Sequence, residues 1–508
     1  MQDGALHGRL GGSSNKSDRN GGRVSRLDDD LSRLHMLIDE GALVDGAGLL
    51  GVELELHLIE EDARPAFANA EVLAHLERSD LDVQSELARF NLEVNLPPVP
   101  LDTQPLRELG RRLDHARHAA SAVVEGVTAV SIGTLPTLEP SDVSAAALSD
   151  KGRYREIDAR IMHARGGSIG LAIDGTRAGG EQLDVSLSSI ALEAAATSLQ
   201  IHLDLAADGF PSAWNVAQSV AAVQVAVAAN APMLLGRRLW HESRVPLFEQ
   251  LIDVRTSGQR ATDCSTPPPR VWFGHDWITH PADLFTENLT YFRTPLVALE
   301  EHTEGQDPDA LHALVRHNGT VWRWNRPVYA HDDGRPTLRI ENRVLSAPPT
   351  TADAVADTAL FIGLVAGLRA DADRLTQELP FALANTNFRA AAEFGLAAPL
   401  HWPGVHGPVT AGELLVDHLI ETAATGLDAL GVPASESGPA LDVIAGRASE
   451  GRNGAAWQFA TLAEEDVQHD RRTALQRMLL RYRDLQNEGE PVHRWPWPGG
   501  TSRRSDTR

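Results

Sequence analysis

Four short stretches of this chain set an apolar stripe against a stripe of ionisable or polar groups. In GVELELHLI, beginning at Gly51, Val52, Leu54, Leu56 and Leu58 alternate with Glu53, Glu55 and His57, and a strand puts the two sets on opposite faces. FNLEVNL alternates Phe90, Leu92, Val94 and Leu96 with Asn91, Glu93 and Asn95. SLQIHLDL does the same with Leu199, Ile201, Leu203 and Leu205 against Ser198, Gln200, His202 and Asp204. TLRIENRV sets Leu338, Ile340 and Val344 against Arg339, Glu341 and Arg343. A half-solvated antiparallel sheet explains any one of these strands. Together they depart from an ordinary solvated face, because their charged residues are Glu, His, Asp and Arg, with no Lys. Glu53, Glu55, Glu93 and Glu341 on adjoining strands repel one another unless cations sit among them. Oxygen donors with one imidazole and no thiolate suit Mg²⁺ or Mn²⁺; zinc is disfavoured, since no HExxH or cysteine-based spacing occurs. Arg339 and Arg343 beside Glu341 add what a triphosphate requires, guanidinium groups next to divalent metals. The combined pattern points to phosphoryl transfer from ATP. Glu86 lies seven residues before Glu93, an interval that cannot keep both on one face of an uninterrupted strand. It is expected on a turn or helix end ahead of the strand, within reach of the metals.

The elements that must carry these groups follow from periodicity and punctuation. The fold class is α+β: an antiparallel β-sheet with one face packed by helices and the other forming an open, acidic ATP and metal site. A long amphipathic helix is predicted over 104–130, with Leu106, Leu109, Leu113, Ala116 and Ala120 on its apolar side, ended by the loop SIGTLPTLEPSD. Trp214 to Asn230 reads as a buried helix, and a further helix starts just after the Pro pair in APPTTADAV. Thr410 with Glu413 has the spacing of a capping box, opening a helix that closes near Gly431 with Pro433 beyond. Residues 255–336, rich in Pro, Trp and His, are expected to be irregular loops with short strands. With no internal repeat or linker between 45 and 495, the expected organisation is a disordered leader over 1–26, one elaborated catalytic domain over 27–495 and a disordered tail over 496–508.

Composition narrows the partners. A net charge of -24 leaves no basic excess to neutralise phosphates, so nucleic acid is not expected and small-molecule substrates are. The lone cysteine, Cys264, excludes an internal disulfide and a thiolate metal cage, which fits the cytoplasm. The leader has no apolar run to act as a signal peptide. The most apolar long segment, Val216 to Leu235, is broken by Gln218, Gln224, Asn230 and Pro232, and no membrane span is predicted.

In this order, the motifs resemble the glutamate-cysteine ligase superfamily, including the bacterial carboxylate-amine ligases, whose fold is like that of glutamine synthetase. GVELEL is similar to that family's first acidic strand, ELARFNLEVNLPP to its paired acids seven apart, SLQIHLDL to its histidine strand and LRIENR to its late Glu-x-Arg strand. The similarity spans roughly residues 50–375. It departs where Gly133-Thr134-Leu135-Pro136 replaces a GTHP and where QIHLD replaces an HVHVG-like strand. The resemblance implies that Glu53, Glu55, Glu86, Glu93, His202 and Glu341 hold Mg²⁺ on ATP. It further implies that Arg343 and Arg339 contact phosphate, and that Arg343 and Glu341 serve catalysis. The implied reaction makes a γ-glutamyl phosphate from glutamate and ATP and lets an amine, cysteine first among the candidates, displace the phosphate.

Tyr154 and Arg155 in GRYREIDARI could bind substrate carboxylates, although a helix with exposed arginines explains them equally well, and Arg244 could clamp an α-carboxylate. His57 continues the acidic stripe but has a second-shell or rim role as its alternative. The same acids could serve a ligase for another amine or peptide, or a metal-dependent hydrolase, which would turn over without nucleotide.

Overall fold

The computed structural model describes residues 15–44, 46, 48–261, 268–296 and 307–498. Most of the expected leader, the tail from 499 onward and Cys264 lie outside the described residues. From Asn15 to Asp39 the chain is helical, so the first helix begins well ahead of Leu27.

The centre is an antiparallel sheet of seven strands: β1 (Leu49–Glu60), β2 (Asp82–Ser85), β3 (Asn91–Pro100), β4 (Val127–Val130), β5 (Ser198–Asp204), β6 (Asn325–Asp332) and β7 (Arg335–Ser346). Their order is β6-β7-β5-β1-β3-β2, with β4 pairing the far end of β1. Alternation behaves as the stripes require. Val52, Leu54, Leu56, Leu92, Val94, Leu199 and Ile201 are buried on one face. That face is covered by the helices Pro105–Ala122 and Thr351–Leu368, which also pack on each other.

Three local expectations need correction, and one short strand is new. The amphipathic helix stops at Ala122, and Val127–Val130 leave it to become β4, as suits the β-branched Val127, Thr128 and Val130. The stretch Asp82–Ser85 forms β2, a strand too short to show a period. The buried helix around Trp214 is two helices, Phe210–Ser219 and Ala221–Ala228, both deeply buried. The largest difference is β6, which lies inside the stretch expected to be irregular. Asp333 and Gly334, at φ 52° and 75°, make a two-residue turn with both residues left-handed. That geometry matches the twist of a hairpin and joins β6 to β7.

The capping box forms as expected, Thr410 accepting from the Glu413 amide while Glu413 accepts from the Thr410 amide. One helical stretch, Thr351–Glu378, is long and apolar enough to cross a membrane, and 72% of its most apolar window is buried inside the protein. A hydrophobic cluster runs from Leu27 to Trp495 through all these elements.

Candidate functional site

Register decides which ionisable groups meet. One rung of the sheet holds Arg326 on β6, Glu341 on β7, His202 on β5 and Gly51 on β1. A Cβ on Gly51 would stand 3.2 Å from the His202 Cβ, so the glycine makes room for the imidazole. Another rung holds Glu53 opposite Gln200 on one side and Asn95 on the other, and a third sets Glu55 directly against Glu93 with Gln84 beyond. On β7 the register slips between Asn342 and Leu345, so that Arg343 and Val344 together face Gln200. This bulge aims Arg343 between Gln200 and Glu341, to which its Nη1 donates at 2.5 Å each.

The result is a pair of triads. Glu53, His202 and Glu341 can each offer one donor atom, all within 4.8 Å of one another, and Glu55, Glu86 and Glu93 do the same. Thus all five acids and the imidazole singled out in the sequence converge, and Glu86 does so from the turn after β2 rather than from a strand. That turn is pinned by its neighbours: Ser149 Oγ donates to the Glu86 carbonyl at 2.5 Å, and Lys151 Nζ and Tyr154 Oη donate to the Ser85 carbonyl at 2.8 and 3.4 Å. Glu55 is held by the Ser198 amide at 2.7 Å, Ser198 Oγ at 3.0 Å and Gln200 Nε2 at 2.9 Å.

The two triads differ in charge balance. Arg326 grips Glu341 with two parallel bonds of 2.5 and 2.9 Å. Burial would raise the Glu341 pKa, but Arg326, Arg343 and His202 outweigh it and hold the carboxyl well below its ordinary range. The other triad has no such partner. Burial first, and then repulsion from Glu55 and Glu193, pushes Glu86 up to about 8. Burial, followed by Glu86, Glu53 and Glu55, pushes Glu93 up to about 9. Glu55 is also raised by burial, despite Arg343 and Arg244.

The triads open on a cavity of about 330 Å³, whose further walls include Lys151, Arg153, Tyr154, Glu193, Trp322 and Arg326. Sequence reading missed Arg326 and Glu193. The first was legible from the Asp-Gly turn that pairs β6 with β7; the second sits in a 3-10 turn, Ile190–Ala195, with no periodic signal. Tyr154 reaches the cavity as expected. Arg155 points to solvent, 64% exposed and paired with Asp150 at 2.5 Å. Arg244 is buried behind the site, paired with Glu242 at 3.2 Å and donating to the Arg343 carbonyl at 3.3 Å. Neither lines the cavity, because each charge is spent on a neighbouring carboxylate. Arg339 Nε donates to His202 Nδ1 at 3.2 Å. His57 is fully buried, stacked on Phe90 and near Asn91, and burial lowers its pKa to about 3. It is a neutral packing residue at the inner end of the stripe.

The donor set fits a divalent cation. His202 Nε2 is buried, lies 3.0 Å from Glu53 Oε1 without the alignment of a hydrogen bond, and has no other partner among the described residues. An orphaned ring nitrogen among carboxylates suits a hard cation that tolerates one imidazole.

Comparison with known proteins identifies the class. The fold is shared with the crystal structure of the glutamate-cysteine ligase of Francisella tularensis, solved in complex with AMP: the TM-score is 0.56, at 11% identity, over 88% of this chain and 91% of that one. A bifunctional glutathione synthetase of Pasteurella multocida aligns at a TM-score of 0.44 and 10% identity, over 91% of this chain and 55% of that one. Among curated proteins no sequence matches. The model of glutamate-cysteine ligase family 2 matches residues 49–473, and the chain belongs to that family. It is an ATP-dependent carboxylate-amine ligase.

Proposed function

We propose that this ligase, acting in the cytoplasm through a catalytic unit spanning residues 27–495, activates the γ-carboxyl of glutamate as an acyl phosphate. An amine then displaces the phosphate, with cysteine the first acceptor to test. The observation that carries the reading is the convergence of Glu53, Glu55, Glu86, Glu93, Glu341 and Arg343 on one cavity, with His202 beside Glu53 and Glu341. Mg²⁺ is the preferred metal and Mn²⁺ its substitute. Glu53, His202 and Glu341 would hold one ion, and Glu55, Glu86 and Glu93 another. Ions held there would neutralise charge on the triphosphate.

The chain's own residues account for the remaining demands. Arg343, fixed between Gln200 and Glu341, is aimed to stabilise charge on the phosphoryl group in transfer. Glu341 holds that arginine and Arg326 in register. Tyr154 contributes a hydroxyl to the substrate wall. An imidazole that ligates through Nε2 keeps its hydrogen on Nδ1. Arg339 must then release Nδ1, which frees its guanidinium for phosphate. Glutamate carboxylate is a poor acceptor for amines, and phosphorylation supplies the leaving group that the carboxylate lacks.

The test is ADP release by purified protein with ATP, Mg²⁺, glutamate and a panel of amines that includes cysteine. The expected result is ADP and phosphate in equal amounts with one preferred amine. No ADP with any amine would overturn the reading.

A further inference from the structure

The cavity holds a carboxylate that neither triad uses. Glu193 lines it beside Ile157 and Ile190, and no hydrogen bond or ion pair to its carboxyl occurs among the described residues. Its position is built, not incidental. Asp158 Oδ1 accepts from the Ile190 amide at 2.8 Å and from Ser189 Oγ at 3.1 Å, fastening the Ile190–Ala195 turn to the helix Gly152–Ala164. Ser189 caps the turn by accepting from the Ala191 amide, and Asn91 Nδ2 donates to the Ala194 carbonyl at 3.0 Å. The turn is therefore held from the helix side by Asp158 and from the sheet side by Asn91, with Glu193 between. A desolvated carboxylate without a counter-charge is costly. Glu55 adds repulsion, and Arg343 and Arg244 attract it only from a distance, so that burial and Glu55 push its pKa up to about 8.

Resting on the proposed reaction, we infer that Glu193 binds the α-ammonium group of the amino acid whose carboxyl is activated, and so selects an α-amino dicarboxylate over a plain dicarboxylate. The chemistry separates the two ammonium groups such a ligase meets. The acceptor amine must lose its proton to attack, and an ion pair that stabilises the ammonium form would hold it unreactive. The donor's α-ammonium is a spectator that stays charged throughout, which is what a fixed carboxylate on the cavity wall suits. Glu193 is thereby a specificity-determining residue and takes no part in phosphoryl transfer.

The experiment compares glutamate with glutarate, which lacks only the α-ammonium group, in wild type and Glu193→Gln, by ADP release with ATP, Mg²⁺ and one fixed amine. In the wild type kcat/KM for glutamate should exceed that for glutarate by on the order of 100-fold. In Glu193→Gln the glutamate value should fall by about the same factor, chiefly through KM, while the glutarate value stays within about threefold, so the preference collapses. Thermal stabilisation by Mg²⁺ and ATP should be the same in both proteins, which checks the fold and the nucleotide site. Equal loss on both substrates would overturn the inference and assign Glu193 to metal or structure. An unchanged preference would overturn it too. A wild type that does not use glutamate would instead sink the proposed reaction, and this inference with it.

Discussion

The two triads lie on the same face of one sheet, yet they carry opposite electrostatics. Glu341 is neutralised inside the fold by Arg326 and Arg343, and its carboxyl is held low. Glu86 and Glu93 face burial and neighbouring carboxylates, with Arg343 offsetting them only in part, and are pushed up to about 8 and about 9. In the first triad Glu341 is already satisfied by the folded protein, while His202 Nε2 is left for an ion. The second is a deficit that a divalent cation would fill. One half of the site is thus stabilising without metal and the other half is not.

The sharpest way to break this comparison is through activity. Glu53→Gln and Glu341→Gln should each lower ATP-dependent turnover by about 1,000-fold or more, since each removes a charge placed for phosphoryl transfer; ADP release measures it, with circular dichroism to show that the fold persists. Next comes stability of the metal-free protein, where the triads should respond with opposite signs. Glu341→Gln leaves two arginines without their shared counter-ion and should destabilise by about 3 kcal/mol. Glu93→Gln removes a repelled, desolvated carboxyl and should stabilise by roughly 1–3 kcal/mol. Urea titrations in chelator would show both, and a matched sign would refute the contrast.

A smaller effect follows from pH. Glu86 and Glu93 have folded pKa values raised above the ordinary glutamate value of 4.5, so the folded state binds more protons than the unfolded chain between about pH 4.5 and 9. Their contribution is fully present below the unfolded pKa and is lost as pH rises through the folded values. The Tm of metal-free protein should fall from pH 5 to 9, and stabilisation by Mg²⁺ should be larger at about pH 8.5 than at pH 6, because fewer protons must be displaced. A Tm independent of pH over that window would remove the deficit from the second triad. At the bottom of the scale, Arg155→Ala should leave KM and kcat within about twofold, since the side chain is solvent-exposed and tied to Asp150.

How much of this the sequence carries depends on the scale of the signal. Period-two stripes announced β1, β3, β5 and β7 and, with them, five of the six triad members, because a half-buried strand imposes its alternation on residue type. Glu86 was legible as lying off the strand, since its interval to Glu93 breaks the period. What was missed lies where local pattern is weak or overridden. β2 has too few residues to alternate, the bulge at Arg343 and Val344 breaks the period within β7, and Glu193 sits on a turn held by Asp158 and Asn91 from distant parts of the chain. Arg326 was the avoidable loss: Asp333-Gly334 between two alternating runs is a hairpin signal, and its partner strand was already in hand. Arg244 and Arg155 show the reverse limit, since a sequence does not say which carboxylate an arginine will be spent on.

Trapping the activated intermediate tests the central claim most directly. With ATP, Mg²⁺ and glutamate, hydroxylamine should intercept the acyl phosphate and give γ-glutamyl hydroxamate with one ADP per hydroxamate, in wild type and not in Glu53→Gln. Hydroxamate formed without ATP, or ADP released with no hydroxamate at saturating hydroxylamine, would contradict it.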